Sequence, residues 1–399
     1  MNEIVTLALF LASVMISIGF LGSYLFKRTG VPDMLFLMAL GVFFGPILGV
    51  FNPASIMGLA PYIAALSLVI ILFDGGLALN LYQVFSESPR AVLLAVSNFM
   101  ASLIVVALFV TYIMHLPLLY GIFFGSILGA SSSVVTMSLT MRMNVSDKCK
   151  TVLSLETAIA DVLCVVISLV VIDLIVTGHT DIMALGGEII NRFSTGAVVG
   201  VIFGVIWLSI LQRVSKEPYV YILTLAVVFF AYSTSESFGG NGALSSLLFG
   251  IMLGNEKDIF RFLKGKMLRD VIVDAEMRRF DEEIAFMIRS FFFVYLGLIF
   301  VVVHISWLLF GVALSFLLLV VRYGAVALSS ARSPLCNERS VMSAMLARGE
   351  ASAVLCTLPM QHGLQYADLY LNLTIVIIIL TSILCTILML TLSRKRIKK

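Results

Sequence analysis

The sequence predicts an all-α integral membrane protein with about thirteen transmembrane helices. Two observations predict this fold class. The mean hydropathy is +1.09, and 60% of the 399 residues are hydrophobic while 12% are charged, against about 25% charged residues in soluble domains. In addition, apolar runs long enough to cross a bilayer follow one another along the chain. No long polar region separates them, so residues 1–399 are predicted to form a single membrane domain.

The predicted spans follow one another with short connections. They lie near residues 4–26, 34–50, 58–78, 91–114, 118–141, 151–177, 194–212, 219–237, 240–255, 283–303, 305–328, 340–358 and 369–393. Between the ninth and tenth spans, residues 256–282 carry both charged and apolar side chains, which predicts an interfacial amphipathic helix. A site for a cytosolic regulatory domain or partner in this linker is an open alternative.

The positions of lysine and arginine predict the orientation of the chain. Alternate loops, the linker 256–282 and the C-terminal tail hold 22 of the 26 basic residues, whereas the opposite loops hold Arg192 alone. Because basic loops stay in the cytoplasm, we expect the N-terminus outside and the C-terminus in the cytoplasm of a cell-membrane protein. The formal charge of +3 therefore indicates topology and contact with anionic lipid headgroups, and no nucleic-acid partner.

Other classes of site leave no signature in the chain. The five cysteines have no CxxC spacing, which argues against disulfides and a metal cluster. We also find no phosphate-binding glycine loop and no nucleophile with a matching base, so we predict neither an enzyme nor a bound cofactor.

Seven charged residues lie inside predicted spans and away from their outermost residues, where a charge costs several kcal/mol and usually marks a transport pathway. They are Asp74, Glu156, Asp161, Arg289, Arg322, Arg348 and Glu350. Arg289 lies close to the cytoplasmic end of its span, so extension of its side chain to the membrane surface is an equally good explanation there.

Helix geometry separates two carboxylates in the sixth predicted span. Glu156 and Asp161 are five residues apart, about 140° around a helix, whereas Thr157 shares a face with Asp161. Glu156 and Arg322 each lie about 9 Å from the cytoplasmic ends of their spans, so an ion pair between them is predicted. Asp161 lies about 16 Å deep with no dedicated arginine. There it can hold either a proton or a cation, which is the minimal chemistry of an exchanger.

Two stretches rich in small residues interrupt predicted spans at corresponding places. GSILGASSSVVT (125–136) lies in the fifth span and SAMLARGEASAVL (343–355) in the twelfth. If residues 178–218 link two six-helix units, 1–177 and 219–399, the chain is an inverted repeat with one broken helix in each unit. Such pairs indicate the mid-membrane site of a transporter. Simple small-residue packing is the alternative.

Six segments in this order resemble the monovalent cation:proton antiporter superfamily, and most closely its NhaP-like sodium/proton exchanger branch. They are GVPDMLFLMALGVFFGP (30–46), ILFDGGLAL (71–79), LETAIADV (155–162), RSFFFVYLGL (289–298), LLVVRYGA (318–325) and ARGEASAVL (347–355). The resemblance implies the NhaA-like antiporter fold, with two crossed broken helices. It also implies a homodimer that exchanges Na⁺, K⁺ or Li⁺ for H⁺ by alternating access.

The resemblance also implies roles for individual residues. Asp161 corresponds to the aspartate that binds the ion and the proton, and Thr157 to a hydroxyl ligand on the same helix. Asp74 lies where a carboxylate of the third span can join the site. Ser131 and Ser132 lie at the crossing, where the family often has Thr-Asp.

Two further pairs of charged residues are expected to act beside the ion-binding residues. Glu156 and Arg322 correspond to a structural ion pair, in agreement with their predicted depths. Arg348 and Glu350 are expected to tune the electrostatic field at the second broken helix.

The chain departs from the family pattern at two positions. Ala160 replaces the Asn or Asp before the key aspartate, and Ser132 replaces the aspartate of the crossing. Fewer carboxylates give a weaker field, which favours K⁺ over Na⁺ as a hypothesis. A single free carboxylate favours electroneutral one-for-one exchange. Two other functions stay open: a Kef-type gated K⁺ efflux pathway with loose proton coupling, and a sodium-coupled symporter of an organic solute.

Overall fold

A computed structural model describes residues 2–29, 31–50, 60–79, 89–143, 145–177, 182–214, 217, 219–264, 275–301 and 305–397. Within these ranges the regular secondary structure is entirely helical. The helices are α1 (Asn2–Thr29), α2 (Asp33–Val42), α3 (Ala60–Ala78), α4 (Pro89–Tyr112), α5 (Leu118–Ile127), α6 (Ser133–Arg142), α7 (Asp147–Thr177), α8 (Ile182–Val214), α9 (Val220–Ser237), α10 (Gly242–Gly254), α11 (Glu256–Lys264), α12 (Ala275–Ile299), α13 (Ile305–Ser329), α14 (Arg339–Ala344), α15 (Glu350–Leu355), α16 (Leu358–Gln361) and α17 (Ala367–Ile397). A π-helical turn, Phe43–Ile47, extends α2, and a 3₁₀ turn, Pro334–Glu338, precedes α14.

Six of these helices are long and apolar enough to cross a membrane: α4, α7, α9 and the main parts of α8, α13 and α17. Shorter apolar segments lie in α1, α2, α3, α5 and α10. Large apolar side chains such as Val320 and Phe316 are exposed on α13, as expected of a surface that faces lipid. The predicted class, an all-α multi-pass membrane protein, is therefore confirmed. The count of thirteen spans stays a prediction.

The chain divides into two compact units. Unit 1 comprises Met1–Ala64, Ser88–Ile172 and Arg289–Lys399, and unit 2 comprises Ala65–Glu87 and Asp173–Ile288. This division reflects packing in space. The predicted repeats along the sequence, with their linker, stay a prediction.

In unit 1, α4 packs against α5 and α13, and α13 packs against α17. Small residues allow α2 and α12 to meet backbone to backbone, because a Cβ atom on Gly41 would lie 2.7 Å from the Cα of Gly297. Close contacts of this kind hold membrane helices together where the hydrophobic effect is weak.

In unit 2, α8, α9 and α10 pack against one another. The indole nitrogen of Trp207 on α8 donates a hydrogen bond of 3.0 Å to the hydroxyl of Thr224 on α9. The rings of Phe73 and Phe249 lie 5.8 Å apart in the same apolar core. Aromatic side chains thus fix the core of this unit, with the polar tip of Trp207 satisfied.

Both predicted helix interruptions are present. The first separates α5 from α6, and the second separates α14 from α15. The predicted interfacial segment 256–282 is described in part. Its first residues form α11, its last residues form the first turns of α12, and 265–274 lie outside the described residues.

Candidate ion-binding site

The two helix interruptions contact each other in unit 1, at the point that we call the crossing. The backbone N–H of Ser132, at the end of the first interruption, donates a hydrogen bond of 2.7 Å to the carbonyl of Ala347 in the second. A Cβ atom on Gly349 would lie 2.6 Å from the Cβ of Ser132. The crossing is therefore tight enough that glycine is required on one side.

Donors from other segments satisfy the carbonyl groups that the first interruption leaves open. Arg348 Nη1 donates to Ala130 at 2.7 Å, and Ser352 Oγ donates to Ile127 at 2.7 Å. Cys164 Sγ approaches the carbonyl of Ser126 at 2.9 Å. The Arg348 side chain is fully buried, so its charge lies at the negative end of the α5 dipole, where a cation is stabilised.

Asp161 lies on α7 beside this crossing and is half-buried. Its Oδ2 accepts a hydrogen bond of 3.0 Å from Ser133 Oγ. Because Ser133 is the first residue of α6, the carboxylate lies near a positive helix end. The sequence prediction placed Ser131 and Ser132 near this carboxylate and missed Ser133. The run Ser131–Ser133 was visible, but nothing in it indicates which hydroxyl faces α7.

The two predicted serines have other positions. Ser132 Oγ accepts a hydrogen bond from the Val135 N–H at 3.4 Å and so caps α6. Ser131 is buried, and its Oγ has no hydrogen-bond partner among the described residues. Its open hydroxyl oxygen can still accept a hydrogen bond or coordinate a cation.

Thr157 lies one turn before Asp161 on α7 and is buried. Its hydroxyl donates to the Ser154 carbonyl of its own helix at 3.0 Å, which leaves the oxygen lone pairs available. One face of α7 therefore carries a hydroxyl and a carboxylate, as the i, i+4 spacing predicts.

Glu156 and Arg322 form a bidentate ion pair. Arg322 Nη1 and Nη2 donate to the two carboxylate oxygens at 2.7 and 2.9 Å, and Nε donates to the Met342 carbonyl at 3.2 Å. Both side chains are completely buried. Through Met342 the pair also contacts α14, the helix that leads into the second interruption.

Arg348 and Glu350 have separate partners at the second interruption. Glu350 begins α15 and forms an ion pair with Arg289 of α12. Both Arg289 and Glu350 act electrostatically on Asp33, at the start of α2. Glu350 also acts electrostatically on Asp161. The depth of Arg289 did not reveal this partner, since extension to the membrane surface explained its position equally well.

Asp74 lies on α3 in unit 2 and is half-buried. It acts electrostatically on Asp281 of α12 in the same unit. That Asp74 contributes a carboxylate to the ion site stays a prediction.

Comparison with known proteins decides the family. A profile described as "Sodium/hydrogen exchanger, transmembrane" matches residues 13–393. The chain belongs to this family. The predicted resemblance is thereby confirmed.

Individual relatives agree with this assignment. The chain is 24% identical over 383 residues to the K(+)/H(+) antiporter NhaP2 of Shewanella oneidensis, covering 93% of this chain and 64% of the relative. It is 22% identical over 307 residues to the Na(+)/H(+) antiporter 1 of Methanocaldococcus jannaschii, covering 71% of this chain and 68% of the relative. The exchanger-family chain thus spans less than two thirds of the Shewanella protein.

A solved structure shows the fold. The sodium proton antiporter MjNhaP1 from Methanocaldococcus jannaschii, at pH 8, superposes with a TM-score of 0.76 at 19% sequence identity. The match covers 97% of the present chain and 98% of the MjNhaP1 chain. The chain therefore shares the fold of this antiporter, whereas the inverted repeat of two six-helix units stays a prediction.

Proposed function

We propose that this chain exchanges a monovalent cation for protons across the cell membrane by alternating access. The observation that carries the proposal is Asp161, a half-buried carboxylate beside the crossing of two broken helices. Competition of a cation and a proton for this single carboxylate couples the two flows. Family membership and the names of the relatives support the same activity.

The proposed cation shell combines one carboxylate with hydroxyl groups. Thr157 and Ser131 offer buried hydroxyl oxygens, Ser133 contacts Asp161 directly, and Ser132 stands at the crossing. A shell with one charge and several neutral oxygens gives a weak field, which favours K⁺ over the more strongly hydrated Na⁺. The Shewanella relatives are named as K(+)/H(+) antiporters, which supports this preference.

The remaining charges hold the crossing in place. In this proposal, the Glu156–Arg322 pair fixes α7 to α13, and Arg348 with Glu350 sets the field at the second interruption. The finer architecture is also part of the proposal: thirteen spans in an inverted repeat, a homodimer in contact with membrane lipids, an external N-terminus and a cytoplasmic C-terminus. No cofactor is required.

Proteoliposomes with an internal pH-sensitive dye test the activity. We expect K⁺ to drive proton movement in the wild type, Na⁺ or Li⁺ to drive it less, and Asp161→Asn to abolish it. Asp147→Asn is the matched control, because it makes the same change on the same helix at a side chain that is 96% exposed.

The alternatives give different results in the same assay. Cation flux without proton movement would support the gated efflux pathway. Uptake of an organic solute driven by sodium would support the symporter. Proton movement driven by Na⁺ but not by K⁺ would refute the K⁺ preference and leave the antiporter in place.

A further inference from the structure

A contact within unit 1 joins the starts of two segments that meet again at the ion site. Glu338 ends the 3₁₀ turn before α14, and its two carboxylate oxygens accept hydrogen bonds from Ser146. The backbone N–H of Ser146 donates at 2.7 Å and its Oγ at 2.9 Å. Ser146 immediately precedes α7, the helix that carries Asp161, and α14 leads into the second interruption. The contact therefore ties the start of α7 to the start of the second broken helix.

Glu338 completes the N-terminal cap of α7. Ser146 Oγ accepts from the Cys149 N–H at 3.2 Å, which is the N-cap contact of a helix that begins at Asp147. In a capping box, a Glu or Gln three residues after the cap accepts from the N–H of the cap residue. Cys149 holds that position here and has neither a carboxylate nor an amide, so Glu338 accepts this N–H from a distant part of the chain. Its negative charge also suits the positive end of the α7 dipole.

The turn that presents Glu338 is itself held at the end of α13. Arg339 Nε donates to Ser330 Oγ at 2.6 Å, and its Nη2 donates to the Ala327 carbonyl at 3.3 Å. Cys336 Sγ donates to the Ser330 carbonyl at 2.9 Å. Glu338 is half-buried on this anchored turn. The carboxylate therefore has a fixed place from which to hold α7.

The same two segments are joined a second time further along α7. Arg322 of α13 donates both to Glu156 of α7 and to the Met342 carbonyl of α14. Glu156 lies about 15 Å along the helix from Ser146, and Asp161 lies about 8 Å beyond Glu156. If α7 turns about the ion pair as a rigid rod, a shift of about 2 Å at Ser146 moves Asp161 by about 1 Å. Two attachments fix the place of Asp161, whereas one attachment leaves α7 free to turn.

We propose that Glu338 is a positioning residue for the ion site, because it fixes the start of α7 and thereby sets the place of Asp161 beside the crossing. Functional groups have to be held within about 0.5 Å, so a shift of about 1 Å weakens cation binding. The effect on transport rests on the proposed function, whereas the contact rests on the two hydrogen bonds from Ser146. A purely structural role would lower the amount of folded protein, and with it the maximal rate, and leave the KM for the cation unchanged.

Exchange in proteoliposomes, with the KM measured for K⁺ and for Na⁺, tests the positioning role. Ser146→Asp keeps a side chain that caps α7 but places a second carboxylate against Glu338. We expect it to raise the KM by about tenfold. Adding Glu338→Gln should return the KM to within about twofold of the wild type, because the amide donates to the new carboxylate. Asp147→Asn is the matched control, since it breaks only the neighbouring ion pair with Lys150 and should leave the KM unchanged.

Hydrogen–deuterium exchange in detergent tests the contact without transport. Ser146→Asp should speed exchange in the first turn of α7, and adding Glu338→Gln should slow it again. An unchanged KM in Ser146→Asp, or a raised KM that Glu338→Gln does not restore, would overturn the positioning role. A fall in melting temperature and maximal rate alone would make Glu338 a structural residue and would overturn it too. Absence of cation-driven proton movement in the wild type would refute the antiporter function, and exchange in α7 would still decide the contact.

Discussion

The buried pair of Glu156 and Arg322 allows a quantitative prediction. We consider Glu156→Gln and Arg322→Met, singly and together. The pair makes two charge-assisted hydrogen bonds of 2.7 and 2.9 Å with both side chains fully buried. At about 1.5–3 kcal/mol for each bond to a charged group, either single substitution should cost about 3–5 kcal/mol of unfolding free energy, because it leaves the other charge buried and uncompensated.

The double variant removes both charges, so no uncompensated charge remains in the interior. Its cost should be smaller than the sum of the two single costs by about 2 kcal/mol or more. Reversible unfolding in mixed detergent micelles, followed by circular dichroism, measures the four unfolding free energies of this cycle. A matched cycle on the exposed pair Arg279 and Glu283, with Glu283→Gln and Arg279→Met, should give a coupling below about 0.5 kcal/mol. Costs at Glu156 and Arg322 that add within about 0.5 kcal/mol would refute the reasoning.

Three further predictions concern the crossing and the ion site. Gly349→Ala should abolish transport and lower the melting temperature, because its Cβ would lie 2.6 Å from that of Ser132. Gly324→Ala, with open space around it, should change neither quantity. Equal effects of the two substitutions would contradict the tight crossing. Ser133→Ala should raise the KM for the cation by about tenfold in flux assays, since Asp161 loses a donor to its charged form, and an unchanged KM would exclude Ser133 from the site. Under the proposed competition of protons and cations for Asp161, the apparent KM for K⁺ should rise as the pH falls, by about tenfold per pH unit at the acidic limit. A KM independent of pH would refute competition at one carboxylate.

The sequence predicted those parts of the site that follow from spacing and depth. The i, i+4 relation of Thr157 and Asp161, and the matched depths of Glu156 and Arg322, depend only on the regular rise and turn of a helix. The same regularity made the two interruptions visible as clusters of small residues. Helical periodicity therefore predicted the partners wherever both residues lie within continuous helices.

Contacts made by irregular backbone could not be predicted in this way. Ser131, Ser132 and Ser133 follow one another, and the choice of Ser133 as the donor to Asp161 depends on where the unwound segment ends and α6 begins. Arg289 shows the same limit, since its partner Glu350 lies at the start of α15, just after an interruption. At such breaks the regular rise and turn of a helix no longer predict which residues contact each other.

The charges beside the crossing support electroneutral exchange. In unit 1, Glu156 is paired with Arg322 and Glu350 with Arg289, so these four charges cancel whichever ion is bound. Arg348 donates to a carbonyl and Asp161 accepts from a hydroxyl, which leaves the charge of Asp161 as the one that binding changes. A proton and a monovalent cation neutralise that carboxylate equally. Under the proposed function, the occupied site therefore carries the same charge in both directions of transport, and we expect the cycle to move no net charge. An exchange rate that responds to an imposed membrane potential in proteoliposomes would refute this reasoning.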